Sequence, residues 1–142
     1  MQLVHEKAEL YAHQYTSVQD ELLQKIEAQT LREHPHAHML SGSTQGKLLE
    51  LLSQMIQPQK ILEIGTFTGF SALSLVKGLK EGGLLHTIEL RQEDAVTAQQ
   101  YFNNSSYAPR IQLHLGDAVN IIPQLKEQWD LVFIDADKVN YI

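Results

Sequence analysis

The stretch Leu62-Glu63-Ile64-Gly65-Thr66-Phe67-Thr68-Gly69-Phe70-Ser71 decides how this chain folds. An apolar run ends in an acidic residue, two glycines follow four positions apart, and a helical pattern begins. That order suits a parallel strand passing into a helix whose N-terminus faces a nucleotide-type cofactor. Gly65 permits a turn and a close approach of backbone to ligand, and Gly69 lets the next helix pack near the strand. Ser71 falls in the first helical turn, where free N–H groups favour a carboxylate or phosphate. The same spacing also describes an ordinary tight turn, so the residues around the loop must decide.

Glu63 sharpens the reading. A carboxylate in an apolar run is costly unless it is paired or hydrogen-bonded, and either a cationic ammonium on a ligand or the loop N–H groups could satisfy it. Glu89 ends the next apolar run, about 20 residues beyond the loop, where an acidic residue can accept both hydroxyls of a ribose. NAD and S-adenosylmethionine both carry that ribose. Gly116-Asp117-Ala118 follows a third run and could meet an adenine edge. A fourth run, Leu131-Val132-Phe133-Ile134, leads into Asp135-Ala136-Asp137-Lys138. Carboxylate oxygens suit hard cations such as Mg²⁺, Mn²⁺ or Ca²⁺. A lysine beside a metal and a bound cation can act as a general base. A salt-bridged helix cap is the plain alternative for that cluster.

Outward from these motifs, the chain divides in two. The first third reads helical: Leu3, Val4, Leu10 and Tyr11 suggest a short amphipathic helix. Ser17 could cap a second, with Asp20 completing a partial capping box and Val18, Leu22, Leu23, Ile26 and Leu31 as its apolar stripe. His34-Pro35 breaks it, because proline disfavours a helical residue before it. His34, His36 and His38 share one face of an extended segment but lack a second ligand cluster, so surface or cleft histidines are expected rather than zinc ligands. Ser41-Gly42-Ser43 is a loop and cap. Leu48, Leu49, Leu51, Leu52, Met55 and Ile56 fit one helix face, with Pro58 as the stop, and such stripes are expected to be core.

From Lys60 onward, strands at 61–64, 84–90, 111–115 and 131–134 alternate with helices at 72–79, 92–102 and 118–125. Alternation implies right-handed βαβ crossovers and a parallel sheet. The expected order 3-2-1-4 puts a switch point between strands one and four, where ligands bind beyond the carboxyl ends. Glu63, Gly65 and Asp135 would meet there.

Composition narrows the class. The chain has 142 residues, 43% of them hydrophobic, a formal net charge of −6 and no cysteine. A single domain is within reach of this length. The acidic balance argues against a nucleic-acid partner, the absent cysteines against a disulfide framework or thiolate zinc site. No run approaches the roughly 18 apolar residues of a membrane span, and a cytoplasmic protein is expected.

With these residues in place, the sequence resembles the caffeoyl-CoA/catechol O-methyltransferase family. The resemblance rests on the glycine loop, on Phe133-Ile134-Asp135-Ala136-Asp137-Lys138 with Asn140-Tyr141, and on Gly46-Lys47-Leu48-Leu49 and Gly116-Asp117-Ala118. It implies a Rossmann-like class I methyltransferase fold with N-terminal helices over about 1–57. It also implies S-adenosylmethionine and a divalent cation as cofactors, and methyl transfer to a hydroxyl of a catechol-like small molecule. Glu63 and the Gly65-Thr66 backbone would hold the methionine part, Ser71 its carboxylate, and Ser41 another part of the cofactor. Glu89 would grip the ribose, and Ala118 with Asp117 the adenine. Asp135 would ligate the metal and face the cofactor amine, while Lys138 would take the phenolic proton. A homodimer through the N-terminal helices is a further implication. The family's enzymes are longer, with further strands and an Asp-Asn pair that completes the metal shell. The chain is therefore expected to be the cofactor-binding part, with C-terminal strands missing and turnover low or absent. An NAD-linked oxidoreductase is disfavoured, because Gly65-Thr66-Phe67 replaces Gly-x-Gly and the third glycine is absent. A non-catalytic cofactor-binding or self-association module is the remaining alternative.

Overall fold

Short apolar runs separated by helical segments can be buried only if helices cover the sheet they form. The computed structural model, which describes residues 4–136 and 138, builds that arrangement. Helices Glu6–Tyr15 (α1), Glu21–Glu33 (α2) and Gly42–Ile56 (α3) come first. There follow Lys60–Ile64 (β1), Phe70–Leu75 (α4), Leu84–Glu89 (β2), Gln92–Asn103 (α5), Ile111–Leu115 (β3), Ala118–Ile121 (α6) and Leu131–Ile134 (β4). The strands form one α/β, Rossmann-like parallel sheet ordered β3-β2-β1-β4, the order expected from sequence. Leu3, Asp137, Asn140 and Tyr141 lie outside the described residues.

Register divides the sheet's side chains. Ile61 pairs with Leu85 and Leu131, and Glu63 with Thr87 and Phe133, so these share one face. On that face Ile61, Leu85 and Ile111 join Leu23, Ile26, Leu49, Phe70, Leu73, Leu75, Ala98 and Phe102 in the core. Every residue of α4 is buried, which makes this six-residue helix the hub of the helical layer. On the opposite face Leu62 and Ile88 are buried, while Val132 and Ile134 of β4 are exposed. His86 and His114 also lie there, joined Nδ1 to Nε2 at 2.9 Å with ring planes 7° apart. Their 5.2 Å centroid separation is what two imidazoles bonded edge to edge require, and Trp129 packs across His86. Burial holds both rings below the usual histidine range. Among the described residues, no helix is long and apolar enough to cross a membrane.

The helical third differs from the sequence reading in two places. Asp20, not Ser17, caps α2, its Oδ1 accepting from the Leu23 N–H at 3.0 Å. Val18 and Leu31, expected in the stripe, are exposed. In α3 the buried positions are Gly46, Leu49 and Ser53, whereas Leu48, Leu51, Leu52, Met55 and Ile56 face outward. Small residues explain the difference. A β-carbon at Gly46 would run into the Phe70 ring, and one at Gly78 into the Ser53 backbone. Close approach, rather than aliphatic bulk, selects which face of α3 packs on α4 and the 3₁₀ turn Val76–Gly78.

Gly78→Ala is therefore expected to destabilise the fold by about 1–3 kcal/mol through overpacking. Ser53→Ala, which removes a hydrogen bond to the Leu75 carbonyl, should cost about 1 kcal/mol. Urea midpoints measure both, and a Gly78→Ala midpoint equal to wild type would show that the helices give way without cost.

Candidate functional site

Three backbone hydrogen bonds lace together the loops beyond the strands. The Gly65 N–H donates to the Ile88 carbonyl at 3.0 Å, Asp135 N–H to Ile64 at 2.9 Å, and Gly116 N–H to Glu89 at 2.8 Å. Gly65 has φ 100°, and a β-carbon there would collide with the Asp135 carbonyl. Only glycine lets the β1 loop lie this close to the β4 loop. Glu63, Gly65, Glu89 and Asp135 are thus brought to one end of the sheet, as the strand order predicts.

Glu63 is fully buried. The Thr87 hydroxyl donates to its Oε2 at 2.6 Å. Thr87 has one proton and gives it to Glu63, so the Thr66 hydroxyl must donate to Thr87. Glu63 Oε1 finds no hydrogen-bond partner among the described residues. Burial pushes the Glu63 carboxyl up to about 7; Ser71 and Thr87 oppose this, while the charges of Asp135 and Glu89 add to it. Among the described residues, the donor to this carboxylate is a threonine on the neighbouring strand rather than a loop N–H group.

Glu89, nearly buried, is held differently. Its Oε2 accepts the Phe67 N–H at 2.7 Å and its Oε1 the Arg91 N–H at 2.9 Å. A carboxylate has about four acceptor positions, so each oxygen keeps one for a further donor. Phe67 presents its N–H from a left-handed conformation, φ 50°. Gly69, with φ 87°, closes the loop through a hydrogen bond to Thr66 and packs under the Phe102 ring.

The end of α2 supports the loop from outside. Thr30 donates to Thr68 at 3.2 Å in the interior. His34 is extended because Pro35 follows, and its Nε2 lies 2.7 Å from Oδ1 of buried Asp94. His36 and His38 are exposed. Among the described residues, no group of His, Asp or Glu is arranged to hold a metal ion.

The other expected residues fall as follows. Ser41 is half-buried just before α3, and Ser71 is buried in the first turn of α4. Asp117 caps α6, accepting the Val119 N–H at 3.0 Å, with half-buried Ala118 as its first residue. Asp135 and Lys138 are exposed beyond β4. Sequence reasoning missed Thr87, Phe67, Arg91 and Asp94. A polar residue two positions before Glu89, hence on the same face of an apolar strand, was the one available signal, and it pointed to Thr87.

The raised Glu63 carboxyl sets a pH dependence. Between the ordinary value of 4.5 and about 7 the folded chain holds a proton that the unfolded chain has lost. The stabilisation is complete below 4.5 and lost as pH rises through about 7. Urea midpoints of the ligand-free protein at about pH 5 and about pH 8 should differ more for wild type than for Glu63→Gln. Equal slopes would show that Glu63 stays ionised in the fold.

With this geometry in hand, the chain can be placed among known proteins. Residues 13–142 match the O-methyltransferase family profile. The catechol O-methyltransferase of Niastella koreensis is 39% identical over 101 residues, covering 68% of this chain and 46% of that relative. The structure of the O-methyltransferase TomG from Streptomyces achromogenes in complex with SAM superposes with a TM-score of 0.83 at 35% identity, covering 93% of this chain and 60% of that one. An O-methyltransferase from Bacillus cereus in complex with SAH gives 0.84 at 31%, covering 93% and 61%. The chain spans about half the length of the curated relatives it matches. Profile, relatives and sheet order agree, and the chain belongs to the O-methyltransferase family.

Proposed function

We propose that the chain binds S-adenosylmethionine beyond the carboxyl ends of β1 and β2, as the cofactor site of an enzyme that methylates a hydroxyl of a catechol-like small molecule. One observation carries this reading. Two backbone N–H groups fix the Glu89 carboxylate and leave one acceptor position on each oxygen, which suits the adjacent hydroxyls of a ribose. Charge then favours a sulfonium over a dinucleotide. Asp135 and Glu89 both press on Glu63, and Arg91 is already paired with Asp94 at 2.7 Å. The pyrophosphate of NAD would meet carboxylates there, whereas the ammonium and sulfonium of S-adenosylmethionine would be attracted.

Residues take their roles accordingly. The Gly65-Thr66 backbone and Ser71 would hold the methionine end, with Ser41 at its edge. Ala118 and Asp117 would flank the adenine, and Asp135 would face the amine. Sealed Glu63 would act through its charge rather than by contact. The cofactor, when bound, supplies an activated methyl group; the protein aligns the acceptor oxygen with it, and such alignment can contribute on the order of 7–11 kcal/mol. Lys138 would remove the phenolic proton. The divalent cation implied by the resemblance does not find its ligands among the described residues. Asp135 offers one carboxylate, and a hard cation takes six or more oxygens, so no step is derived through it. We take the 142 residues as one methyltransferase domain. The exposed Leu48, Leu51, Leu52 and Met55 of α3, together with exposed Tyr11 and Tyr15 of α1, would join two copies.

Calorimetric titration with S-adenosylhomocysteine should give binding that Glu89→Ala weakens at least roughly tenfold and that NADH does not displace. No binding by the folded wild type would overturn the reading. Met55→Glu should leave the fold intact and yield a monomer in light scattering, and an unchanged mass would reject that helix face as the contact.

A further inference from the structure

Phe67 is the only non-glycine residue of the glycine loop with positive φ, at 50°. Its N–H is one of the two that orient Glu89, so whatever holds Phe67 also sets the direction of that carboxylate. Two side chains meet its ring, and a third joins those two. The His34 ring meets the Phe67 ring edge-on at 4.6 Å and 78°. The Arg91 guanidinium lies over the same ring, 5.6 Å from its centre. Asp94, on the first turn of α5 and only 3% exposed, binds both: Oδ1 meets His34 Nε2 at 2.7 Å, and Oδ2 pairs with Arg91 at 2.7 Å. His34 Nδ1 accepts the His36 N–H at 3.0 Å, so Nε2 carries the proton that points to Asp94. Arg91 closes the circuit, because its backbone N–H is the second donor to Glu89.

We propose that Asp94, acting through His34 and Arg91, clamps Phe67 and thereby fixes the angle at which Glu89 meets a ribose diol. His34, Arg91 and Asp94 are positioning residues for ribose recognition. Asp94 supplies what neither neighbour has, a buried carboxylate that joins a histidine from the end of α2 and an arginine from the start of α5 at one ring. The inference rests on the cofactor reading above and adds to it the residues that make Glu89 selective.

The test compares adenosine, 2′,3′-dideoxyadenosine and S-adenosylhomocysteine by calorimetry, with urea midpoints confirming that each variant is folded. Wild type should prefer adenosine to the dideoxy form by roughly tenfold or more, the scale of hydrogen bonds to a charged group. His34→Ala and Asp94→Asn should erase most of that preference and weaken S-adenosylhomocysteine binding by a comparable factor. His34→Gln, whose amide N–H can still donate to Asp94, should keep most of it. If Asp94→Asn does not fold, the partly exposed His34 decides alone. Equal weakening of adenosine and the dideoxy form, or variants with wild-type preference, would overturn the clamp while leaving the cofactor reading intact. Failure of wild type to bind S-adenosylhomocysteine would overturn the cofactor reading itself.

Discussion

The hydrogen bond from Thr87 to Glu63 is the constraint on which the sheet's working end depends. A carboxylate with no exposure needs a donor, and only one alignment of β1 against β2 places Thr87 opposite it. Slipping the pairing by one residue would turn Thr87 to the other face and bring His86 or Ile88 across in its place. The same alignment carries Thr66 onto Thr87 and sets Gly65 to bond the Ile88 carbonyl. Register, loop entry and the height of Glu89 above the strand are therefore one decision. Its cost is visible in the raised Glu63 carboxyl, which two neighbouring carboxylates make worse. A positive group entering beside Asp135 would relieve that strain, so the ligand-free protein is electrostatically prepared for a cation.

Sequence showed the strands well because their signals are local. Apolar runs of four to six residues, each closed by an acidic residue or a glycine, mark β1 through β4 without reference to the fold. The α/β alternation then fixed the order, and the order placed Glu63, Glu89 and Asp135 at one end. What sequence could not show was contact between segments far apart in the chain. Asp94 sits on α5, 60 residues from the histidine it binds. Nothing near Asp94 distinguishes it from an ordinary first-turn acid that complements a helix dipole. Phe67 looked like a filler between glycines; its importance comes from a backbone angle, which composition does not reveal.

The misread stripe of α3 has a related cause. Periodicity counts apolar residues, but packing responds to how near two backbones can come. Gly46 and Ser53 admit Phe70 and Gly78, and that contact outweighs the larger aliphatic residues on the next face. The leucines so displaced remain exposed, as do Val132 and Ile134 on the uncovered side of β4. These two apolar surfaces differ in kind. The first lies on a complete helix, whose backbone bonds are satisfied and which can only be covered. The second belongs to a sheet-edge strand, which can both be covered and be extended by another strand.

Phe67 ties these observations to the proposed site. A non-glycine residue in the left-handed region costs on the order of 1 kcal/mol or more, and glycine would avoid that cost. But glycine has no ring, and without a ring His34 and Arg91 would have nothing to converge on. The chain accepts local strain at the point where a side chain must serve as a handle while its own N–H serves as a donor. Glu89 receives that donor and the Arg91 N–H on separate oxygens, which fixes its direction without using up its capacity. A carboxylate satisfied completely by protein would be structural. One held by two bonds, with an acceptor position left on each oxygen, has the capacity that the proposed ribose diol would use.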